Sequence, residues 1–262
     1  MARLTNKTAL VTGGSRGIGR GIAERLAAEG ALIAVHYGSD DTAAKETVAA
    51  IEAAGGRAFP IRATLGVDGD ADTLAAALEA GLRERTGGTH LDILVNNAAL
   101  GGTDTGIDSE TPAAFDRLFA VNVRAPFFLI QRVLPLMGDG GRIINIGSAV
   151  TRIALPGELS YAMTKAAVAT LSRNLANDVG PRGITVNTVD PGPTRTERTA
   201  FVFDRPEAQA MMTANQAIER IGLPADIAAV VAYLASPDAG WVTANTIDAT
   251  GGTYLGPKPR AA

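Results

Sequence analysis

The stretch Thr8-Ala-Leu-Val-Thr-Gly-Gly-Ser-Arg-Gly-Ile-Gly19 decides how the rest of the chain reads. Its first four residues form a short aliphatic run suited to a buried strand. Closely spaced glycines follow, with those at 13, 17 and 19 setting the pattern, and from Ile18 to Glu29 apolar residues recur at helical spacing. Strand, glycine-rich turn and helix in that order make a dinucleotide site by mechanism. Gly13 permits the tight turn, Gly17 and Gly19 let backbone and helix approach a pyrophosphate, and the unpaired N–H groups of the helix start favour an anion. Ser15, Arg16 and Ile18 fill the loop between them and are candidate cofactor contacts. The spacing, Gly-x3-Gly-x-Gly, departs from the Gly-x-Gly-x-x-Gly fingerprint, so the weight falls on its position between strand and helix.

Outward from this loop, short apolar runs alternate with longer alanine-rich stretches. Thr8 to Val11, Leu32 to Val35, Leu91 to Val95, Arg142 to Ile146 and Ile184 to Val189 read as buried parallel strands, with Ala58 to Ile61 and Thr246 to Ala249 bringing the count to seven. Between them Ile18 to Glu29, Asp41 to Ala54, Asp70 to Arg85, Pro112 to Met137, Tyr161 to Val179 and Pro224 to Leu234 read as helices. Gly55-Gly56 and Gly87-Gly88 stand where two of them should stop. The expected fold is α/β: a single Rossmann-type, doubly wound parallel sheet of about seven strands with helices on both faces. No linker tract or repeat divides it, so residues 1–262 form one domain, with 256–262 a loose C-terminal tail.

Composition narrows the function classes. The 262 residues include no cysteine, which excludes disulfides, a thiol nucleophile and cysteine-ligated metals, and suits a reducing compartment. With 24 Lys and Arg against 27 Asp and Glu the formal charge is −3, too little basic excess for a nucleic-acid partner. The longest apolar stretches, such as Ile227 to Ala235, fall short of the ~18 residues that span a bilayer, and residues 1–6 hold no signal-peptide core. The expectation is a cytoplasmic protein with no membrane partner, and 20 arginines against 4 lysines suit a bacterial, GC-rich genome.

An NAD site should present an acid at the end of the second strand, about eighteen residues after Gly19. Here that strand ends His36-Tyr37-Gly38-Ser39. Asp40 and Asp41 fit the start of the next helix, where acidic groups suit the dipole. Arg16 in the glycine loop, with Tyr37 and Ser39 opposite, suits a 2′-phosphate, so NADP(H) is expected in preference to NAD(H).

Tyr161-Ala-Met-Thr-Lys165 heads a helical run, and four residues bring both side chains to one face, roughly 6 Å apart. Tyr254 and Lys258 repeat the spacing, but Gly256 and Pro257 between them forbid a helix. With Thr12 to Gly19, Asn96-Asn97-Ala98-Ala99 after the fourth strand, Asn122, Ser148 after the fifth strand, Tyr161 with Lys165, and Pro191-Gly192 after the sixth, nearly the whole chain resembles the short-chain dehydrogenase/reductase family. The likeness is to its single-domain branch, which includes 3-oxoacyl carrier-protein reductases and polyketide ketoreductases.

The resemblance implies that Tyr161 exchanges a proton with the carbonyl or hydroxyl oxygen, that Ser148 hydrogen-bonds that oxygen, that Lys165 holds the nicotinamide ribose, and that Asn122 positions a relay water. It adds Thr64, Leu65, Asn97, Ala98, Ala99, Pro191, Gly192 and Thr194 to the cofactor contacts. Two residues depart from the pattern: Ala99 stands where glycine is common, and Thr64 where an Asp usually faces the adenine. Both bear on the cofactor's seat and not on the proton path.

Elementary electrostatics agrees with the pairing. A phenol of pKa ~10 needs its anion stabilised to work near neutrality, and a cation at ~4 Å and an effective dielectric of ~20 contributes about 4 kcal/mol, against ~2.7 kcal/mol for two pKa units. The activity expected is hydride transfer between NADP(H) and a ketone or secondary alcohol, most simply a carbonyl reductase acting on a small molecule. The alternative is a non-catalytic nucleotide-binding scaffold or sensor, which an intact Ser148, Tyr161 and Lys165 disfavours. The longer nucleotide-sugar epimerase branch needs an added domain and the other glycine spacing.

His36 and His90 have no partners in the pattern and read as strand-edge or loop residues, so no metal site is expected; Trp241 reads as packing. Ala149 to Pro156, Leu100 to Thr105 and Thr194 to Met212 shape the substrate cavity. Within the last, Arg195 to Met212 reads as a lid. The apolar excess of Phe127, Phe128, Ile130, Val133, Leu134 and Leu136 on one helix, with the resemblance, implies a homotetramer.

Overall fold

A computed structural model describes residues 2–102 and 106–255. Residues 256–262, expected to be a tail, lie outside them, as does Lys258.

Seven strands, β1 (Thr8–Val11), β2 (Leu32–Tyr37), β3 (Arg57–Arg62), β4 (Leu91–Asn96), β5 (Met137–Ile146), β6 (Thr185–Pro191) and β7 (Thr246–Ala249), form one parallel sheet in the order β3-β2-β1-β4-β5-β6-β7. The chain winds outward from β1 to β3, then crosses back to β4 on the other side of β1. That reversal opens a crevice beyond the carboxyl ends of β1 and β4. All residues of β1, β2, β4 and β6 are buried, as strands covered on both faces require.

One face is covered by helices α1 (Gly17–Ala28) and α2 (Asp41–Ala53), together with the helix Pro224–Ala235. Leu26, Ile33, Val95, Ile144 and Val231 join in a single core there. The other carries α3 (Asp70–Thr86), α4 (Pro112–Phe119), α5 (Ala125–Val133) and α6 (Leu159–Val179), over Leu10, Leu78, Leu94, Leu129 and Ile143. Each of these leucines contributes roughly 2 kcal/mol by leaving water.

Local chemistry sets the helix ends. Asp40 caps α2 by accepting from Ala43 N at 3.0 Å, and Thr111 caps α4 ahead of Pro112. Gly87, at φ +76°, stops α3 in the left-handed region.

Two expectations are corrected. The helix expected from Pro112 to Met137 contains a π-turn at Ala120–Arg124, gives way to a 3₁₀ turn at Leu134–Leu136, and stops short of Met137. Met137 begins β5 opposite Leu91, and the register then shifts so that Arg142 faces Ile93. Helical periodicity extended the reading; Pro135 and the glycines at 138, 140 and 141 end the helix and admit the irregular strand. Trp241, expected to pack, is 99% exposed.

The segment 194–213 ends in two short helices, α7 (Ala200–Phe203) and α8 (Pro206–Thr213); the helix Pro224–Ala235 is therefore α9. Among the described residues no helix is long and apolar enough to cross a membrane.

Candidate active site

The glycine loop leaves β1 under tight constraint. Thr12 Oγ1 accepts from the backbone of Asn97 (2.9 Å) and Ala98 (3.0 Å), while Asn97 Nδ2 donates to Thr12 O (2.9 Å) and Gly13 O (3.1 Å). Gly13 and Gly17 take φ of +62° and +56°. A Cβ on Gly19 would lie 2.1 Å from Gly13 O, so the helix can approach the turn only because Gly19 has none. Ser15 is buried and its carbonyl accepts from Thr47 Oγ1 at 3.0 Å, which ties the loop to α2; Ile18 packs on the core.

His36 corrects the expectation of a strand-edge residue without partners. It is buried in the middle of the site, with Gly13 N donating to its Nδ1 (3.1 Å) and its Nε2 facing Ala63 O (3.0 Å). Those partners require the Nε2–H tautomer of a neutral ring, and burial pushes the imidazole down to about 4. The side chain thus joins the glycine loop to the end of β3. Its pairing across two strands leaves no mark in local sequence.

The loop already behaves as an anion receptor: Gly17 N donates to the Glu197 carboxylate at 3.0 Å, at the start of α1. Together with the cradle that a Cβ on Gly19 would fill, this donor set fits a dinucleotide phosphate, provided Glu197 gives way. At the end of β2, Arg16 stands 3.9 Å from Asp40, largely exposed, with Ser39 exposed beside it. Tyr37 is buried and its hydroxyl donates to Asp41 at 2.7 Å, so the phenol is engaged by the first residue of α2. Arg62, which the sequence reading did not select, donates from Nε to Gly38 O at 3.3 Å and brings a second guanidinium to this edge. Thr64 is exposed just after β3.

Across the crevice the proton-handling candidates converge. Ser148 follows β5 and heads a 3₁₀ turn, its Oγ accepting from Val150 N. Tyr161 and Lys165 lie on the first turns of α6. Lys165 is buried, donates to Ile146 O at 2.8 Å and stands 5.6 Å from the centre of the Tyr161 ring. Burial raises the Tyr161 phenol above its ordinary value, against a hydrogen bond with Ser148 and the charge of Arg198, which pull it down. Burial lowers Lys165 to about 8, with Asp190 opposing and Arg198 assisting. In this arrangement Ser148 and Arg198 oppose the effect of burial on the phenol without cancelling it.

Asn122 sits in the π-turn between α4 and α5, a distortion common at functional sites. Its Oδ1 accepts from Leu100 N (2.8 Å), and its Nδ2 donates to Leu100 O (3.0 Å) and Thr164 Oγ1 (3.1 Å). A cavity of about 10 Å³ bordered by Asn122, Lys165, Asn96, Thr12, Ala98 and Leu65 lies beneath it, close to the space one water needs. Under the site a buried chain runs from Asn96 to Asn145, Ser172 and Thr188, each step 2.8 Å, which fixes α6 against β4, β5 and β6. This chain was also missed, because its members lie far apart in sequence.

Pro191 ends β6, and Gly192 follows where a Cβ would lie 2.8 Å from Thr250 Cα. Thr194 donates to Gly192 O at 2.9 Å. Ala99 leads from β4 to Leu100, whose side chain is exposed and whose backbone meets Asn122. In the segment expected to form a lid, Phe203 is buried while Phe201, Met211 and Met212 are exposed. The repeated spacing at Tyr254 is non-helical, with φ +56°.

A family model described as enoyl-(acyl carrier protein) reductase matches residues 13–254. The chain is similar to the solved structure of LugOII, titled a promiscuous reductase that catalyses keto-reduction at C1 during lugdunomycin biosynthesis. The two are 53% identical with a TM-score of 0.93, over 97% of this chain and 100% of that one. It is similar also to the angucycline C-6 ketoreductase LanV with bound NADP, at 51% identity and a TM-score of 0.92, over 97% and 98%. The 3-oxoacyl-[acyl-carrier-protein] reductase FabG of Staphylococcus aureus is 37% identical over 95% of this chain and 98% of its own length.

Proposed function

Because this chain belongs to the short-chain dehydrogenase/reductase family of oxidoreductases, we propose that it is an NADPH-dependent ketoreductase of a polycyclic aromatic ketone. The observation that carries the reading is the convergence of Ser148, Tyr161 and Lys165 on the crevice lined by the glycine loop. The substrate class follows LanV and LugOII and the exposed apolar side chains of Leu100, Leu155, Phe201 and Met211 in the segments expected to shape the substrate cavity.

Gly13, Ser15, Gly17, Ile18 and Gly19 would hold the pyrophosphate, Arg16 with Ser39 and Arg62 the adenosine phosphate, and Asn97, Ala98, Ala99, Pro191, Gly192 and Thr194 the nicotinamide side. Thr64 and Leu65 would border the adenine. When bound, NADPH supplies the hydride. Tyr161 gives its proton to the developing alkoxide oxygen, and Ser148 donates a hydrogen bond to that oxygen. A phenol held above its ordinary value stays protonated, which suits reduction of a ketone. Lys165, charged at neutral pH, steadies the phenolate left behind and grips the ribose. Asn122 and the small cavity beside Lys165 provide the return path for the proton.

The chain is read as one dinucleotide-binding and catalytic domain working in a bacterial cytoplasm. Phe127 and Phe128 on α5, 47% and 41% exposed, with Leu159 and Met163 on α6, support a homotetramer, which light scattering would test. The functional test is NADPH oxidation with an angucyclinone ketone, a bicyclic decalone and an acetoacetyl thioester. Turnover highest on the angucyclinone supports the reading; highest turnover on the thioester, or none on any ketone, overturns it.

A further inference from the structure

Asp190 is a carboxylate the proton path described above does not use. It lies next to last in β6 and is 1% exposed. Its Oδ1 accepts from Ser148 N at 3.0 Å, and its Oδ2 accepts from Thr151 Oγ1 at 3.1 Å, so one carboxylate spans the turn that carries Ser148. The fit is close: a Cβ on Gly147 would lie 1.9 Å from Asp190 Oδ1. Beyond it opens a cavity of about 400 Å³ bordered by Thr151, Arg152, Arg173 and Asp248.

A buried carboxylate is costly to keep charged, and an amide would satisfy the same two partners, Ser148 N as donor and Thr151 Oγ1 as acceptor. Charge at this place therefore calls for a reason beyond capping, and Lys165 provides one. The ammonium is buried too and donates to Ile146 O at 2.8 Å, the residue before the Gly147 against which Asp190 packs, so the two groups lie on either side of one stretch of backbone. Burial raises the Asp190 carboxyl and lowers Lys165, and against that each group favours the ionised form of the other. The other charges nearby do not substitute. Arg198 acts on Lys165 with the wrong sign, while Asp248 opposes the ionisation of Asp190 and is itself paired with Arg152.

We propose that Asp190 is a positioning residue with two effects: its hydrogen bonds hold Ser148 in place, and its charge is the buried counter-ion that keeps Lys165 protonated. The inference rests on the reading of Ser148 and Lys165 as proton-handling groups, but its charge component can be measured without turnover.

Asp190→Asn keeps the shape and both hydrogen-bond partners and removes the charge. With only 4 lysines in the chain, ¹³Cε-lysine NMR resolves the titration of Lys165 directly. The expected midpoint is near 8 in the parent and at least one pH unit lower in Asp190→Asn. The basic limb of the kcat profile with NADPH and a bicyclic decalone should move the same way, because Asp190 also raises the Tyr161 phenol. An unchanged Lys165 midpoint in folded Asp190→Asn overturns the charge role, whatever the substrate proves to be. Thr151→Val tests the positioning role separately and serves if Asp190→Asn does not fold: kcat should fall at least threefold with the Lys165 midpoint unmoved. An unchanged kcat in that variant overturns the positioning role.

Discussion

The two sides of the crevice are built differently. The side that carries Ser148, Tyr161 and Lys165 is enclosed and over-determined, with Lys165 buried and Ser148 and Tyr161 half-buried: Lys165 is held by Ile146 O, Ser148 N by Asp190, and α6 by the chain from Asn96 to Thr188. The side proposed to face the adenosine, with the segment 195–212, is exposed and loosely paired. Arg16 meets Asp40 only at 3.9 Å, and Glu197 reaches Gly17 N from the segment ahead of α7. Proton transfer needs atoms fixed in place and shielded from water, whereas cofactor entry and selectivity need groups that can exchange partners. Changes on the first side should therefore act on the reaction itself, and changes on the second on which cofactor binds and how tightly.

Apart from the loss of the Tyr161 hydroxyl, the largest expected effect on this contrast is Lys165→Ala. Loss of the ammonium should lower single-turnover hydride transfer by about a thousandfold and weaken NADPH binding as well, since the lysine serves both. Rapid-mixing fluorescence measures the two together. A variant that loses only binding would move Lys165 to the exposed, cofactor-choosing side.

His36 lies at the seam between the two sides, and its effect is on stability. The folded protein keeps it neutral down to about pH 4, whereas an unfolded histidine titrates near 6.5. The unfolded chain therefore binds the extra proton. Stability is intact above pH 6.5 and falls as pH drops from 6.5 towards 4, by on the order of 3 kcal/mol. Tm measured against pH should be flatter in this window for His36→Gln than for the parent; parallel curves would remove His36 from the account.

Arg16→Ala should reduce the preference for NADPH over NADH by about tenfold in kcat/KM, ~1.4 kcal/mol, while leaving the rate of hydride transfer from bound cofactor unchanged. An unaltered preference would shift the assignment to Arg62. The smallest effect belongs to Glu197→Gln. A carboxylate at a helix N-terminus is stabilised by about 0.3–1 kcal/mol, so removing its charge should tighten NADPH by roughly two- to fivefold in a fluorescence titration. Weaker binding would mean that Glu197 helps to hold the cofactor and does not compete with it.

Much of the architecture was legible because it is periodic. Apolar runs of four to six residues, spaced by amphipathic stretches, specify buried parallel strands and their crossover helices, and the glycines at 13, 17 and 19 mark the turn where the backbone must come close. Tyr161 and Lys165 were legible because a helix puts residues four apart on one face. What the sequence concealed depends on contacts between distant strands: His36 meeting Gly13 and Ala63, Asp190 meeting Ser148, Asn145 meeting Ser172. Each is an ordinary polar residue until the sheet brings it to its partner. Tyr37 was placed at the correct strand end, but Asp41, four residues on, takes its hydroxyl into α2. Trp241, a residue type that is usually buried, is exposed, because whether an aromatic ring is covered depends on the fold and not on its neighbours in sequence.

The division between a buried side that performs the reaction and an exposed side that chooses the cofactor is tested most directly with Tyr161→Phe, which removes one hydroxyl and keeps the ring. NADPH affinity by fluorescence titration should stay within about twofold of the parent, while single-turnover reduction of an accepted ketone should fall by three orders of magnitude or more, about 4 kcal/mol. If the variant retains more than about a tenth of the parent rate, a loss below ~1.4 kcal/mol, the proton comes from another group and the account fails.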